Sequence, residues 1–353
     1  MTALRLIADD LTGALDSAAP FAAAACTPVQ VALAGPPAGH GAFDADTREA
    51  TRDAARHAAA SAASWLAAGR PAFRKLDSLW RGHPAAEIAT SLATGFFATA
   101  IVAPAFPAQG RLTRDGRLCL SDGSAGLDLA ASLAAEGLAP LRAAPGQRPD
   151  SPGMWLCDAT TEAHLSMLAG ARPPGPVIWV GSSGLARALA GAPGAPPALP
   201  AGPLLLLCGS RHAAARTTLA SLPAGATRAP ATTTEAVPAA AWAIARLAAG
   251  QSAALTLEAA GAAPGAVWRH LAEALARHPM PALLAVIGGR SLRDLCEALG
   301  VRALAVLGEA RPGVPLSRLV GGAWDGVALL SRSGAFDDGG LFRSLAHGEP
   351  VTA

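Results

Sequence analysis

Two adjacent carboxylates, Asp9 and Asp10, close an apolar run in "RLIADDLTGALD", Arg5 to Asp16. Neighbouring anions repel each other and are costly to desolvate. Either Asp10 or Thr12 caps a helix that starts near Gly13, or the pair faces a cationic ligand or metal at the mouth of an α/β sheet. A second cluster, "FRKLDSLWRGHPAAEI", gathers Lys75, Asp77, Ser78, Arg81, His83 and Glu87 around a strand-to-helix turn, with Pro84 at a first helical position. Two cations, a carboxylate and a hydroxyl at one strand end suit a small anionic polyol. Arg81 would grip a carboxylate bidentately, and Lys75 would act as a point charge. The alternative is a solvated turn laced with ion pairs worth only about 0–1 kcal/mol. Lys75 and Asp77 stand two apart on an expected strand and so share a face. In "AFDADTREA", Asp44 and Asp46 are expected on one strand face, with Thr47 and Arg48 opening the next helix. In "APAFPAQGRLTRDGRL", Asp115-Gly116 predicts a type I′ hairpin turn, and Arg111 faces either a ligand or solvent.

The second half offers glycine-rich strand-to-helix junctions. "CGSRH" supplies Ser210, "VIGGRSL" supplies Gly288, Gly289 and Arg290, and "SRSGAF" supplies Ser333 and Gly334. Such junctions present backbone N–H groups to phosphates, although a tight turn alone explains any one of them. There is no GxxxxGK[ST], which excludes a P-loop, and no GxGxxG after the first strand. "GSSGLA" lacks the GxSxG of a nucleophile elbow. The eight histidines show no metal-ligand spacing.

These groups need a frame. Apolar runs such as "ALRLIA", "VQVALA", "AFDAD", "AFRKLD", "TAIVAPA", "MWLCDA" and "VIWVGS" alternate with Ala-rich helical stretches at Gly13–Ala25, Thr47–Ala68, Pro84–Ala93, Glu162–Ala169 and Gly184–Ala190. That alternation predicts mostly parallel sheets covered by helices, with ligands beyond the C-terminal strand ends. "AGAPGAPPALPAGP", Ala190 to Pro203, is too rich in Pro and Gly for a helix or strand interior and suits a linker. A second pattern follows in "PLLLLCGS", "ALTLEA", "LLAVIGG", "ALAVLGE" and "GVALLSRSG". The expected fold is two α/β domains, 1–195 and 196–353, with a ligand cleft between them.

Composition narrows the class. Hydrophobic residues make up 51% and charged residues 15% of the 353, so the chain is globular rather than disordered. A formal net charge of +2 gives no reason to expect nucleic acid or a membrane surface as partner. Five scattered cysteines without a CxxC pair argue against a disulfide framework or structural zinc. No signal-peptide pattern opens the chain, and no apolar run approaches the roughly 20 residues of a membrane span. A reducing bacterial cytoplasm is the expected setting.

The succession "IADDLTGALD", "DADTR", "RKLDSLWRG", "IVAPAFPAQGRLTRDG", "CDATTEAHL", "VGSSGLA", "CGSR", "IGG", "PGVPL" and "SRSGAF" resembles the four-carbon acid sugar kinase family over nearly the whole chain. The resemblance implies phosphorylation of threonate, erythronate or 3-oxo-tetronate with ATP and Mg²⁺. It implies an N-terminal domain for the acid sugar and a C-terminal domain for the nucleotide. Carried onto this sequence, the substrate set is Asp10, Arg48, Lys75, Asp77, Ser78 and Arg81. The nucleotide set is Ser210, Gly288, Gly289 and Gly334, joined by the neighbouring Arg290 and Ser333. Phosphoryl transfer also needs a carboxylate to take or orient the hydroxyl proton and cations on the moving charge. Asp10 is the expected acceptor, Asp9 its helper at the loop or at Mg²⁺–ATP, and Lys75 a catalytic cation. Which residues would ligate a metal, and whether the chain forms a homo-oligomer, stay open. The sequence departs from the family pattern at Leu79 and Trp80, at Arg290 in place of an acid, and at Arg332 and Ala335. These departures leave a second reading, a catalytically weak relative that senses a sugar acid or serves as a partner subunit.

Overall fold

Long apolar runs form strands here because both faces of each sheet are covered, so alternation is not required. The structure, a computed structural model, describes residues 3–122, 124–192, 194–257 and 264–351. The chain forms two compact units, Met1–Gly194 and Ala195–Ala353.

The first unit begins with β1 (Arg5–Ala8), α1 (Leu11–Ala25), β2 (Val29–Ala32), β3 (Gly41–Asp44), α2 (Arg52–Ala67), β4 (Ala72–Lys75), α3 (Pro84–Ala93) and β5 (Thr99–Ala103). It continues with β6 (Arg111–Arg114), β7 (Arg117–Leu120), β8 (Ala125–Asp128), α4 (Leu129–Ala134), β9 (Leu141–Ala143), β10 (Gly153–Cys157), α5 (Glu162–Leu168), β11 (Val177–Gly181) and α6 (Ser183–Ala190). Its main sheet runs β2-β3-β1-β4-β11-β5-β10-β9, with the described pairings parallel. Ile7, Phe43, Ile88, Val102, Leu156, Ile178 and Val180 belong to one buried cluster. α1 is buried from Leu11 to Ala22, and its alanines let it lie close to its neighbours.

Register positions the site. Ala8 lies opposite Asp44 on one side and Lys75 on the other. Lys75 lies opposite Gly181, and Gly181 opposite Ala103. The carboxyl ends of β3, β1, β4, β11 and β5 therefore form one line, from which their loops leave side by side. β1, flanked by β3 and β4, is where the chain switches from one side of the sheet to the other, the usual place for a ligand crevice. A separate antiparallel sheet, β6-β7-β8, carries the turn at Asp115 (φ 48°) and Gly116 (φ 70°), both left-handed as a type I′ turn requires.

Three local expectations are corrected. The helix expected from Thr47 begins at Arg52, capped by the Thr51 hydroxyl, because Thr47 and Arg48 donate their backbone N–H groups to the Asp9 carbonyl instead. Asp44 and Asp46 do not share a strand face: β3 ends at Asp44, and Asp46 turns left-handed (φ 50°) and donates its N–H to the Asp44 carboxylate. β4 ends at Lys75, so Asp77 sits in the following turn and not on the strand.

The second unit comprises β12 (Leu204–Cys208), α7 (Ala213–Ala220), β13 (Thr227–Arg228), α8 (Thr233–Ala248), β14 (Ala253–Thr256), α9 (Pro264–Ala276), β15 (Leu283–Ile287) and α10 (Gly289–Leu299). It ends with β16 (Ala303–Arg311), β17 (Val314–Val320), β18 (Ala328–Arg332) and α11 (Leu341–His347). Strands β13-β14-β12-β15-β18 are parallel, and β17 and β16 extend the sheet antiparallel. The last two residues of the strand expected in "ALTLEA" lie outside the described residues. Among the described residues no helix is long and apolar enough to cross a membrane.

Candidate functional site

The cap explanation of the Asp9–Asp10 pair holds, and the cation that the pair faces is the chain's own Arg48. Asp10, extended at φ −150°, caps α1 through Oδ1, which accepts the Gly13 N–H at 2.9 Å. The same carboxylates hold a buried cation. The Arg48 guanidinium donates to Asp9 through Nε (2.8 Å) and Nη2 (2.9 Å), and to Asp10 through Nη2 (2.8 Å), with Nη1 2.6 Å from Asp10 Oδ2. Its Nη2 also lies 3.6 Å from Asp77. Arg48 is placed there by the loop after β3, which is tied to β1 at Asp9, and by Gly82, where a Cβ would crowd the Arg48 backbone at 3.2 Å.

Asp77 organises the turn after β4. Its Oδ2 accepts from the Leu79 N–H (3.0 Å), the Arg81 N–H (3.3 Å) and Arg81 Nε (3.0 Å), and its Oδ1 accepts from Arg81 Nη2 (2.7 Å). Trp80, left-handed at φ 62° and buried, anchors the turn by donating its indole N–H to Ser132. Burial alone would raise the Asp77 carboxyl, but the Arg81 hydrogen bonds and the Arg48 charge hold it well below the usual carboxylate range. Burial likewise opposes ionisation of Asp10, yet Arg48 and Lys75 keep it low, whereas burial dominates at Asp9 and pushes it up. Against its own burial, Arg48 is held firmly protonated by Asp10 and Asp9.

Most of the groups left unspent are cationic. The Lys75 ammonium is buried and makes no hydrogen bond within the described residues; its ion-pair partner, Asp9 Oδ1, is 4.0 Å away. The Ser78 hydroxyl, the Arg81 Nη1 edge, and Arg111 Nε and Nη2 also lack a hydrogen-bond acceptor or donor among the described residues. Asp9, Asp10 and Asp77 are consumed, while cations, a hydroxyl and Oδ1 of the buried Asp16 stay available, an inventory that suits an anionic polyol. Gly13 lets Lys75 approach: a Cβ there would stand 2.5 Å from Asp10 Oδ1 and 2.7 Å from Lys75 Nζ. Gly13→Ala should therefore lower kcat/KM about 10-fold or more, and the melting temperature should not rise, since the displaced Asp10 cap costs about 0.5–2 kcal/mol and offsets the helix preference of alanine. Paired melting and initial-rate measurements check this, and unchanged kinetics would show that Lys75 need not sit over α1.

Behind this layer lies a buried ion pair. Arg74 and Glu87, 2% and 3% exposed at their side chains, approach to 3.7 Å. Glu87 accepts the Thr47 hydroxyl at 2.6 Å, which fixes the Arg48 loop from below. Sequence reasoning passed over Asp16, a further buried carboxyl pushed up by burial, 4.0 Å from Arg187. Its spacing from Asp10, nearly two turns along α1, was the available signal. Among the described residues no group of three or more His, Cys, Asp or Glu is disposed to hold a metal ion.

In the second unit the glycine junctions come together. Cys208 is in register with Ile287, and Ile287 with Arg332. Gly209 donates its N–H to the Ile287 carbonyl, and Gly288 to the Arg332 carbonyl. A Cβ on Gly334 would overlap the Ser210 hydroxyl, and one on Gly209 would overlap that of Ser291, which sequence reasoning had not singled out. Ser210, Gly288, Gly289 and the Ser333–Gly334 turn thus form one cradle of backbone at the head of α10. Arg290 lies outside it on the exposed side of α10, 70% exposed at its side chain and 2.8 Å from Asp294. Arg332 is a buried structural residue: it donates to the Phe336 carbonyl and the Thr218 hydroxyl, and Asp338 lies 3.7 Å away.

Two stretches of the chain match separate protein families. Residues 4–142 match the family of sugar-binding N-terminal domains, and residues 188–340 match that of nucleotide-binding C-terminal domains. The chain is 35% identical to a D-threonate kinase of Cupriavidus necator, over 88% of this chain and 89% of that one. It is 33% identical to a D-threonate kinase of Bordetella bronchiseptica, over 94% of each. A solved structure from Salmonella typhimurium LT2 shares the fold, with a TM-score of 0.74 at 19% identity over 97% of this chain and 98% of its own. With both domains matched in order and two relatives aligned nearly end to end, the chain is a sugar-acid kinase and belongs to the four-carbon acid sugar kinase family.

Proposed function

We propose that the chain transfers the γ-phosphoryl group of ATP to a hydroxyl of a four-carbon acid sugar of the threonate type. The observation that carries this reading is the inventory of the first unit: Asp9, Asp10 and Asp77 are locked by Arg48 and Arg81, and the unspent groups are Lys75, Ser78, the free edges of Arg81 and Arg111, and Oδ1 of Asp16. Arg48 then acts as the internal counter-ion of Asp9, Asp10 and Asp77 and not as a substrate ligand. Asp10 orients the site and Lys75; with each oxygen already accepting two hydrogen-bonding groups and its carboxyl held low, it is a poor proton acceptor. That suits a loose phosphoryl-transfer transition state, where positioning and electrostatics outweigh proton removal. Lys75 meets the charge on the moving phosphoryl group. The backbone cradle of Ser210, Gly288, Gly289, Ser333 and Gly334 receives the nucleotide phosphates, with magnesium arriving as part of the ATP complex. Such an enzyme works where ATP is made available, and we place it in the cytoplasm.

The test is an ATP-consumption screen over threonate, erythronate, their 3-oxo forms and neutral four-carbon polyols. ADP should form with one of the acids and not with the polyols. No turnover with any acid, or turnover led by a neutral polyol, would overturn the assignment.

A further inference from the structure

The first unit holds more cationic edge than one phosphoryl group needs, and it lies in two places. Lys75 sits over the first turn of α1, beside Asp9 and Asp10. Arg81 binds Asp77 from the turn after β4. Arg111 stands at the first residue of β6, at the end of the loop that leaves β5, held by its backbone bonds to Phe106. β4 and β5 end in line on either side of β11, so the two loops leave the same end of the sheet, and the charges that act on Arg111 are Arg81 and the Asp77 carboxylate. That carboxylate has little left for Arg111. It already accepts two backbone N–H groups and the Nε and Nη2 of Arg81, with Arg48 3.6 Å away. Arg111 spends Nη1 on the Gln109 carbonyl, and its Nε is buried with no hydrogen-bond partner. Two like charges at one end of the sheet, with the nearby carboxylate occupied and the buried Arg111 Nε unmet, call for a second anion.

We infer that Arg111, with the free edge of Arg81, holds the carboxylate end of the sugar acid and sets the preference for an acid over a neutral polyol. This rests on the sugar-acid kinase reading and adds a direction to it: the acid end lies at the β6 side, and the hydroxyl that receives phosphate lies toward Lys75. Two guanidiniums suit this end because each presents a planar fork to a carboxylate, which an ammonium does not. Burial around Arg111, which works against its charge, also strengthens any anion bound beside it.

The experiment compares wild type, Arg111→Met and Arg111→Lys on the preferred acid and on its primary amide, which keeps the hydroxyls and removes the charge. In Arg111→Met, kcat/KM for the acid should fall about 10- to 100-fold, mostly through KM, while the amide value stays nearly constant, so the acid-to-amide ratio collapses. Arg111→Lys should recover part of that ratio, and the Kd of MgATP should be unchanged in all three. An unaltered ratio in Arg111→Met, or an equal loss on acid and amide, would overturn the inference, the second outcome marking Arg111 as a structural residue. A wild-type chain inert toward every four-carbon acid would instead overturn the substrate reading itself, and this inference with it.

Discussion

Lys75→Met should leave the fold intact and lower kcat on the order of 100- to 1000-fold, the usual cost of deleting a positioned group that meets charge developing in a transition state. The fold should survive because Arg48 still bonds both Asp9 and Asp10, with each of the two carboxylates within 2.9 Å of its guanidinium. The ammonium itself has no hydrogen bond to lose. Its hydrogen-bonding capacity is thus available to the ligand, the condition under which a substitution strikes kcat more than stability. Steady-state kinetics together with a melting curve check the expectation. A well-folded Lys75→Met enzyme with kcat within about 3-fold of wild type would remove Lys75 from the chemistry.

The largest effect on stability is expected at Glu87→Leu. Arg74 is 2% exposed, and neither its Nε nor its Nη2 finds a hydrogen-bond partner, so its charge rests on Glu87 at 3.7 Å. Deleting one partner of a buried pair costs about 3–5 kcal/mol because the other charge is left unpaired. For a unit of this size that corresponds to roughly 6–20 °C in the melting transition. Adding Arg74→Met to Glu87→Leu should restore most of the loss, since a buried ion pair and well-packed apolar residues are close in free energy. Differential scanning calorimetry of the two variants decides it: a single variant as stable as wild type, or a double variant worse than the single, would contradict the account. The single variant also loses the Thr47 bond to Glu87, so its KM should rise as the Arg48 loop loosens.

These groups were unequally legible in the sequence. The Asp115-Gly116 turn could be read because both residues must take positive φ, and that dipeptide is suited to it. Lys75, Asp77, Ser78 and Arg81 could be read as a cluster because they lie within seven residues of one strand end. Arg48 was chosen for the substrate, but its saturation by three carboxylates depends on Ala8, Asp44 and Lys75 lying in register, which is a property of strand order. The helix start was misplaced at Thr47 because hydroxyl residues at 47 and 51 offer equivalent caps locally; the long-range bonds from Thr47 to Asp9 and Glu87 decide between them. Strand β17 escaped notice because Pro315 and the preceding Gly313 read as a loop, although an antiparallel strand at this place tolerates the proline. Arg332 lies 114 residues from Thr218 in the chain, so nothing local marked it as part of a buried network and not of the nucleotide cradle.

Arg48 also bears on how this site can change by descent. Asp9, Asp10 and Asp77 are tied through one guanidinium. Replacing Arg48 leaves three buried carboxylates short of a cation, and replacing one carboxylate changes the balance for the rest, so lineages are expected to alter them together or leave them alone. Arg111, whose one side-chain bond is to the Gln109 carbonyl, carries no such mutual dependence. Single heritable substitutions there can retune which small anion is accepted while the inner charges stay in place, so new substrate preferences should arise at the rim of the site and not at its centre.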